Sequence, residues 1–244
     1  MDPLVLQIRE NIAQVQSEIE IAAKRSSRKA EDVKLIVVSK AQPVEKLIAA
    51  YEAGVRLFGE NYPEETAEKI EQINPPLNGV EWHMIGHLQS RKIPIIVKHF
   101  SYLHSLDSFS LAEKLSKKLP EDTKSLNILL EVTVSGEESK FGFSAQDEAA
   151  WPLLVEEVQK IAGLAGLNLC GLMTMPPFFD DPEEARPYFV KAKKLLEFLQ
   201  SRLDMEHFTQ LSMGTSGDYA VAVEEGATYV RVGQAIMGQR IYKK

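Results

Sequence analysis

The segment LSMGTSGDYAVAVEEGATYVRVGQAIMGQR, residues 211–240, decides the fold. It reads as a strand, a Ser/Gly/Thr loop, a helix, a second strand, and a Gly-containing turn opening a last helix. Strand–loop–helix units following one another head to tail are the building blocks of a parallel sheet covered by helices. Side by side, two such loops bring several backbone N–H groups and two helix N-termini around one point, which suits a phosphate dianion.

The same alternation runs upstream to the start of the chain. Leu4, Ile8, Ile12, Val15 and Ile19 recur at helical spacing and predict an opening amphipathic helix. Strands are then expected at VKLIVVS, VRLFGEN, VEWHMIG, SYLHSLD, LNILLEVTV, LNLCGLMT, FTQLSMG and ATYVRVG. Segments such as VEKLIAAYEAG, SLAEKLSKKL and EEARPYFVKAKKLLEFLQSRL each read as one helix. Several strands are almost wholly apolar, as parallel strands covered on both faces are. Eight strand–helix units after a first helix predict a closed (β/α)8 barrel of the TIM type, whereas an open doubly wound sheet more often stops at five or six strands. A length of 244 residues is that of one barrel, so residues 1–244 are expected to form a single domain. NPPLNG and MPPFFDDPEE are short enough to be ordinary loops.

Composition excludes several classes of function. Lys plus Arg number 28 against 35 Asp plus Glu, a net charge of −7, so no basic field favours nucleic acid. No basic segment followed by an apolar stretch opens the chain, and no run reaches the roughly 18 apolar residues of a membrane span. A soluble, cytoplasmic protein is expected. The single cysteine, Cys170, sits in the apolar run GLNLCGLM and is expected to be an inert core thiol.

A barrel of this kind carries its chemistry at the carboxyl ends of the strands, with phosphate bound after strands seven and eight. Lys40 in LIVVSKAQP follows strand one, Glu60 and Asn61 follow strand two, His87 follows strand three, and Lys140 in SGEESKFGF follows strand five. Ser212, Gly214, Thr215, Ser216 and Gly217 follow strand seven, and Gly233 and Gln234 follow strand eight. Desolvation at the end of an apolar strand disfavours the ammonium form of Lys40 and frees the amine to condense with an aldehyde. Facing a phosphate cradle, such a lysine points to a Schiff base with pyridoxal 5′-phosphate. The plain alternative is a lysine reaching the barrel rim.

Other positions carry paired readings. Ser212, Gly214, Thr215, Gly233 and Gln234 are the phosphate candidates, although glycines alone would mark only tight turns. Arg231, inside strand eight, needs a partner, either a structural ion pair or a ligand. Asn61 is placed against the cofactor ring or its 3′ oxygen, or else caps the helix of PEETAEKI. Met84 and Met175 either floor the pocket or pack in the core. His83 and His87 do not read as metal ligands, because Gly86 interrupts the helix that such a spacing requires.

The blocks VSKAQP, FGENYPEE, WHMIGHLQSRK, SGEESKFGF, GLMTMPP, LSMGTSGD and VRVGQAIMGQR occur in one order that resembles the YggS/PROSC family of pyridoxal phosphate homeostasis proteins. The resemblance spans Lys34 to Arg240. It implies a pyridoxal-phosphate-loaded barrel similar to the N-terminal domain of alanine racemase, with Lys40 as the aldimine lysine. It further implies that Arg231 contacts the pyridine nitrogen, and that the protein acts in vitamin B6 and amino- and keto-acid balance without an established reaction. Departures are small. Thr215 stands where Met is common, Pro63 follows ENY, and Arg91 follows LQS where Asn is usual. A guanidinium at the ring nitrogen leaves the ring unprotonated and a weak electron sink.

Two enzyme alternatives remain. A two-base racemase needs a second base, which alanine racemase takes from an additional C-terminal β-domain, and none is expected here because the chain stops at Lys244. A Schiff-base aldolase would bind a sugar phosphate instead. The expected partners are pyridoxal phosphate and apo enzymes that accept it, and a monomer is expected.

Overall fold

Asp2 opens the first helix by accepting the Leu4 N–H at 2.8 Å, and Pro3 takes the first helical position, where its missing N–H costs nothing. The helix that follows, α1 (Pro3–Arg25), buries Val5, Ile8, Val15 and Ile19 against the rest of the protein. The computed structural model describes residues 2–120, 125–136 and 141–240.

The strands are β1 (Lys34–Val38), β2 (Leu57–Glu60), β3 (Glu81–Met84), β4 (Tyr102–Leu106), β5 (Leu126–Thr133), β6 (Phe143–Ser144), β7 (Leu167–Met173), β8 (Gln210–Ser212) and β9 (Tyr229–Val232). The further helices are α2 (Val44–Glu52), α3 (Pro63–Gln72), α4 (Ile93–His99), α5 (Phe109–Ser116), α6 (Trp151–Ala162), α7 (Arg186–Arg202), α8 (Tyr219–Glu224) and α9 (Gln234–Met237). Among the described residues the sheet runs β4-β3-β2-β1-β9-β8-β7-β5, and a β4–β5 pairing closes it into a ring of parallel strands. The two-residue β6 hangs on the end of β5, outside the ring, and no periodicity in so short a run announces it. The expected eight-stranded barrel is therefore the observed one.

Strand parity divides the side chains between two compartments. Ile36, Tyr102, Leu129, Met173 and Tyr229 meet in the lumen. Val37, Phe58, Trp82, Met84 and Val232, displaced by an odd number of residues or lying on the opposite face, join the cluster between barrel and helices. The β1–β9 register pairs Ile36 with Arg231, which places Arg231 on the lumen side.

Two element boundaries differ from expectation for local reasons. The predicted helix over 183–203 begins as a 3-10 turn, Pro182–Ala185, and becomes α-helical only at Arg186. Pro187 then occupies the first turn, the one place in an α-helix where its missing donor and fixed φ are tolerated. The strand expected over 208–214 pairs only at Gln210–Ser212. Among the described residues no helix is long and apolar enough to cross a membrane.

Candidate functional site

Lys40 lies just past β1, at the carboxyl end of the barrel. Partial burial pushes its ammonium below the ordinary lysine range, and the positive charges of Arg240 and Arg231 add to that, while Glu60 opposes it. A larger fraction of free amine near neutral pH is what condensation with an aldehyde requires.

Arg231 is almost completely buried, and its hydrogen bonds go to neutral groups. Nη1 donates to Ser212 Oγ at 2.6 Å and Nη2 to the Thr174 carbonyl at 3.1 Å. Desolvation lowers its pKa to about 10, with Asp218 and Glu131 opposing through space, so the guanidinium stays charged at neutral pH. Beyond Ser212 the lumen carries a chain of neutral groups. Ser212 Oγ lies 2.9 Å from His104 Nδ1, and His104 Nε2 lies 2.9 Å from His83 Nδ1.

The protons along this chain are assigned by the tautomer that gives the Ser212 hydrogen an acceptor. Ser212 Oγ accepts from Arg231 Nη1, and its own hydrogen then goes to His104 Nδ1. His104 Nε2–H then donates to His83 Nδ1, and the remaining His83 Nε2–H makes no hydrogen bond among the described residues, Glu81 Oε2 lying 3.8 Å away. Burial holds both imidazoles neutral, His83 lowered to about 3 and His104 well below its ordinary value. The lumen therefore orients Arg231 without neutralising it.

The loops after β8 and β9 lie next to one another, as expected. Gly214 has φ +88°, and a Cβ there would stand 2.6 Å from Ala222 Cβ, so the turn requires glycine. Its carbonyl accepts the Arg231 N–H at 3.0 Å. Ser216 Oγ accepts the Gly233 N–H at 3.3 Å and ties the two loops together. Among the described residues no protein acceptor meets the N–H groups of Ser216, Gly217 and Gln234. A Cβ on Gly233 would come within 3.2 Å of Val38 Cβ, which keeps this backbone close to the end of β1. With α8 and α9 this short, the loops act through local N–H groups rather than long helix dipoles.

Three of the expected site residues have other contacts in this structure. The Ser212 hydroxyl turns into the lumen and is taken by Arg231 and His104 rather than facing the phosphate loops. Thr215 spends both its N–H and its hydroxyl on Asp218 Oδ1, at 2.6 and 3.0 Å, in the turn that opens α8. Met84 is fully buried in the outer cluster, because parity sends it toward the helices while His83 faces the lumen. Asn61 does not cap α3, whose N-cap is Tyr62, and its amide oxygen is buried without a hydrogen-bond partner among the described residues. Met175 is half exposed, and Lys140 lies outside the described residues. His87 pairs with Asp107 at 3.1 Å and stacks on Phe141. Burial pushes the Cys170 thiol up to about 11.

The sequence matches the family described as alanine racemase, N-terminal domain, over residues 8–241. A pyridoxal phosphate homeostasis protein of Pasteurella multocida is 38% identical over 240 residues, covering 97% of this chain and 99% of its own. The chain belongs to the pyridoxal phosphate homeostasis protein family. PipY of Synechococcus elongatus, solved with pyridoxal phosphate bound, superposes with a TM-score of 0.82 at 33% identity, covering 95% of this chain and all of its own. Alanine racemase of Corynebacterium glutamicum superposes with a TM-score of 0.69 at 15% identity, covering 95% of this chain and 61% of its own, and shares the fold.

Sequence reading missed His104, Thr174 and Lys69. His104 alternates with Tyr102 in SYLHSL, and that period of two was the available signal for a lumen position. Thr174 enters through its backbone carbonyl, which no side-chain pattern reports. Lys69 stands four residues after Glu65 on α3 and reads as half of a surface pair, yet it is buried.

Proposed function

We propose that this chain binds pyridoxal 5′-phosphate, with Lys40 as the covalent anchor, and serves vitamin B6 and amino- and keto-acid homeostasis rather than a conventional reaction. The observation that carries the proposal is the convergence, at the ends of the neighbouring strands β1, β8 and β9, of a desolvated lysine, a buried guanidinium and two loops with unclaimed N–H groups. When bound, the cofactor would supply an aldehyde that condenses with Lys40 Nζ, forming a C=N bond and releasing water. Gly214, Gly233 and Gln234, with Ser216 and Gly217, would hold its phosphate through backbone donors. Ser212 and Thr215 would support this cradle indirectly, through Arg231 and Asp218. Asn61 would place its amide against the ring or its 3′ oxygen.

Arg231 would donate to the ring nitrogen and keep it unprotonated, which lowers the capacity of the ring to accept electrons. The lumen histidines are neutral and committed to each other and to Ser212, so they would not serve as a second base. Both features favour storage and delivery over turnover, with apo enzymes as acceptors and a monomer, residues 1–244 forming one binding domain, as the working form.

Borohydride reduction of the purified protein loaded with pyridoxal phosphate, followed by peptide mapping, should place the adduct on Lys40. Lys40→Ala should abolish it. An adduct on Lys140 would defeat the anchor assignment. The loaded protein incubated with L-amino acids in deuterated water should show no Cα exchange, while mixing with an apo enzyme should transfer the cofactor. Turnover abolished by Lys40→Ala would favour the racemase-like alternative.

A further inference from the structure

On the outer side of the β1 and β2 ends sits a charged cluster that neither the phosphate loops nor the lumen uses. Lys69, on α3, is buried, and each of its three N–H hydrogens has an acceptor. They go to the Ser39 carbonyl at 2.8 Å, Glu60 Oε1 at 2.8 Å and Glu65 Oε1 at 2.6 Å. The acids reach further. Glu60 Oε1 also accepts the Ser39 hydroxyl at 2.8 Å, and Glu65 Oε1 accepts the Ala41 N–H at 2.9 Å. Residues 39 and 41, the two neighbours of Lys40, are thus tied to one ammonium group on a separate helix.

The tie holds a conformation that the chain would not choose by itself. Ala41 has φ +55°, a left-handed backbone that is disfavoured for any residue with a Cβ. The Gln42 N–H returns to the Ser39 carbonyl at 3.2 Å, so the same carbonyl that accepts Lys69 also closes this turn. Glu60 is fully buried, and its second carboxylate oxygen has no hydrogen-bond partner among the described residues. A buried ion cluster is costly to assemble, and here each of its bonds but the pairings among the ions themselves ends on the turn that carries the reactive lysine. A cavity of about 530 Å³ opens on the far side of the turn, lined by Gln42, Tyr62, Glu65 and Lys69, and gives the cluster an edge toward solvent.

We propose that Lys69, Glu60 and Glu65 are positioning residues for Lys40, fixing the 39–41 turn and setting the charge that the lysine amine meets; the proposal rests on Lys40 being the reactive amine. Glu60, Arg231 and Arg240 face that amine, and Glu60 is the acid among them. Burial raises the Glu60 pKa, while Lys69 and the Ser39 hydroxyl hold it down. Removing the Glu60 charge leaves the two arginines unopposed and drives the Lys40 amine further toward its neutral form. Releasing Ala41 frees the turn and misplaces the amine.

The test uses the full chain and reads Lys40 directly. Competitive acetylation of amines across a pH series, quantified by mass spectrometry, gives the Lys40 midpoint with no aldehyde present. In Glu60→Gln, which keeps an oxygen for Ser39, the midpoint should fall by about one unit. Glu65→Ala should slow addition of pyridoxal phosphate to Lys40 by about tenfold or more, with Glu65→Gln, which still accepts the Ala41 N–H, restoring the rate. An unmoved midpoint in folded Glu60→Gln overturns the proposal. A Glu65→Ala rate within about twofold of the parent overturns it as well, since placement errors are costly in such reactions. If Glu60→Gln does not fold, the Glu65 pair decides alone. Failure of the parent protein to form any adduct on Lys40 sinks the cofactor assignment instead, and acetylation still reports whether the cluster sets the amine.

Discussion

Replacing Ser212 with Ala tests whether this hydroxyl belongs to the lumen or to the phosphate cradle. In the folded protein its oxygen receives Arg231 Nη1 at 2.6 Å and its hydrogen goes to His104 Nδ1 at 2.9 Å. Removing it strands a charged donor and a neutral acceptor where no water reaches, since Ser212 and His104 are completely buried and Arg231 nearly so. A hydrogen bond to a charged group contributes about 1.5–3 kcal/mol, and an unsatisfied buried acceptor costs about 1–3 kcal/mol. The guanidinium and the ring share one site and relax together, so the combined loss is about 2–4 kcal/mol. Urea denaturation of the cofactor-free protein should show this as a lower midpoint at unchanged slope. Ser101→Ala serves as the control and should cost under about 0.5 kcal/mol, because the Ser101 hydroxyl engages no partner among the described residues. A Ser212→Ala loss below about 1 kcal/mol without cofactor, joined to a large loss of cofactor retention, would refute the lumen placement and restore a direct phosphate contact.

The lumen histidines predict a pH dependence. The unfolded chain takes up protons at the ordinary value of 6.5, whereas the His83 ring in the folded protein resists until about 3. Stability should therefore be complete above pH 6.5 and fall as the pH drops toward 3. Each neutral buried histidine adds a slope of about 1.4 kcal/mol per pH unit within that window. His83→Gln should flatten the slope by one proton in urea melts between pH 6 and pH 4, and an unchanged slope would show that His83 is not held neutral. Gly214→Ala should cost roughly 2–4 kcal/mol in thermal unfolding, the sum of left-handed strain and overpacking against Ala222. A loss under about 1 kcal/mol would mean that the loop shifts freely to admit a Cβ.

Much of the architecture was legible because apolar periodicity and chain length point the same way. The apolar runs became the parallel strands, and Lys40, Arg231 and the two glycine loops fell at their carboxyl ends because this barrel leaves few other places for polar residues. What escaped reading depends on pairing rather than on pattern. Whether Ser212 faces its own loop or the lumen is set by the presence of His104, more than a hundred residues away in sequence. Met84 looked like a pocket floor because it ends a strand, but the partition between lumen and helix layer is decided by one step of parity. Lys69 carries no sequence signal of its own, since a lysine four residues after Glu65 on a helix fits an ordinary exposed pair. Its burial follows from the 39–41 turn and Glu60 meeting α3, contacts between elements that no local window contains.

The charges at the barrel mouth have one further consequence. Arg231, Arg240 and Lys40 crowd together, and each positive neighbour lowers the Lys40 pKa further. The lumen offers no relief, because His83 and His104 are neutral and Ser212 only orients the guanidinium. Asp218, the acid that acts most strongly on Arg231, is already engaged by Thr215. A dianion seated on the two glycine loops would stabilise both guanidinium and ammonium, and so would raise the Lys40 pKa. On the proposed assignment of Lys40 as the anchor, the amine would be most nucleophilic while the loops are empty, and an anion seated on them would favour positive charge on the same nitrogen. Loss of the anion from the loops would lower the Lys40 pKa again, so retention of the amine's charge and retention of the anion would rise and fall together.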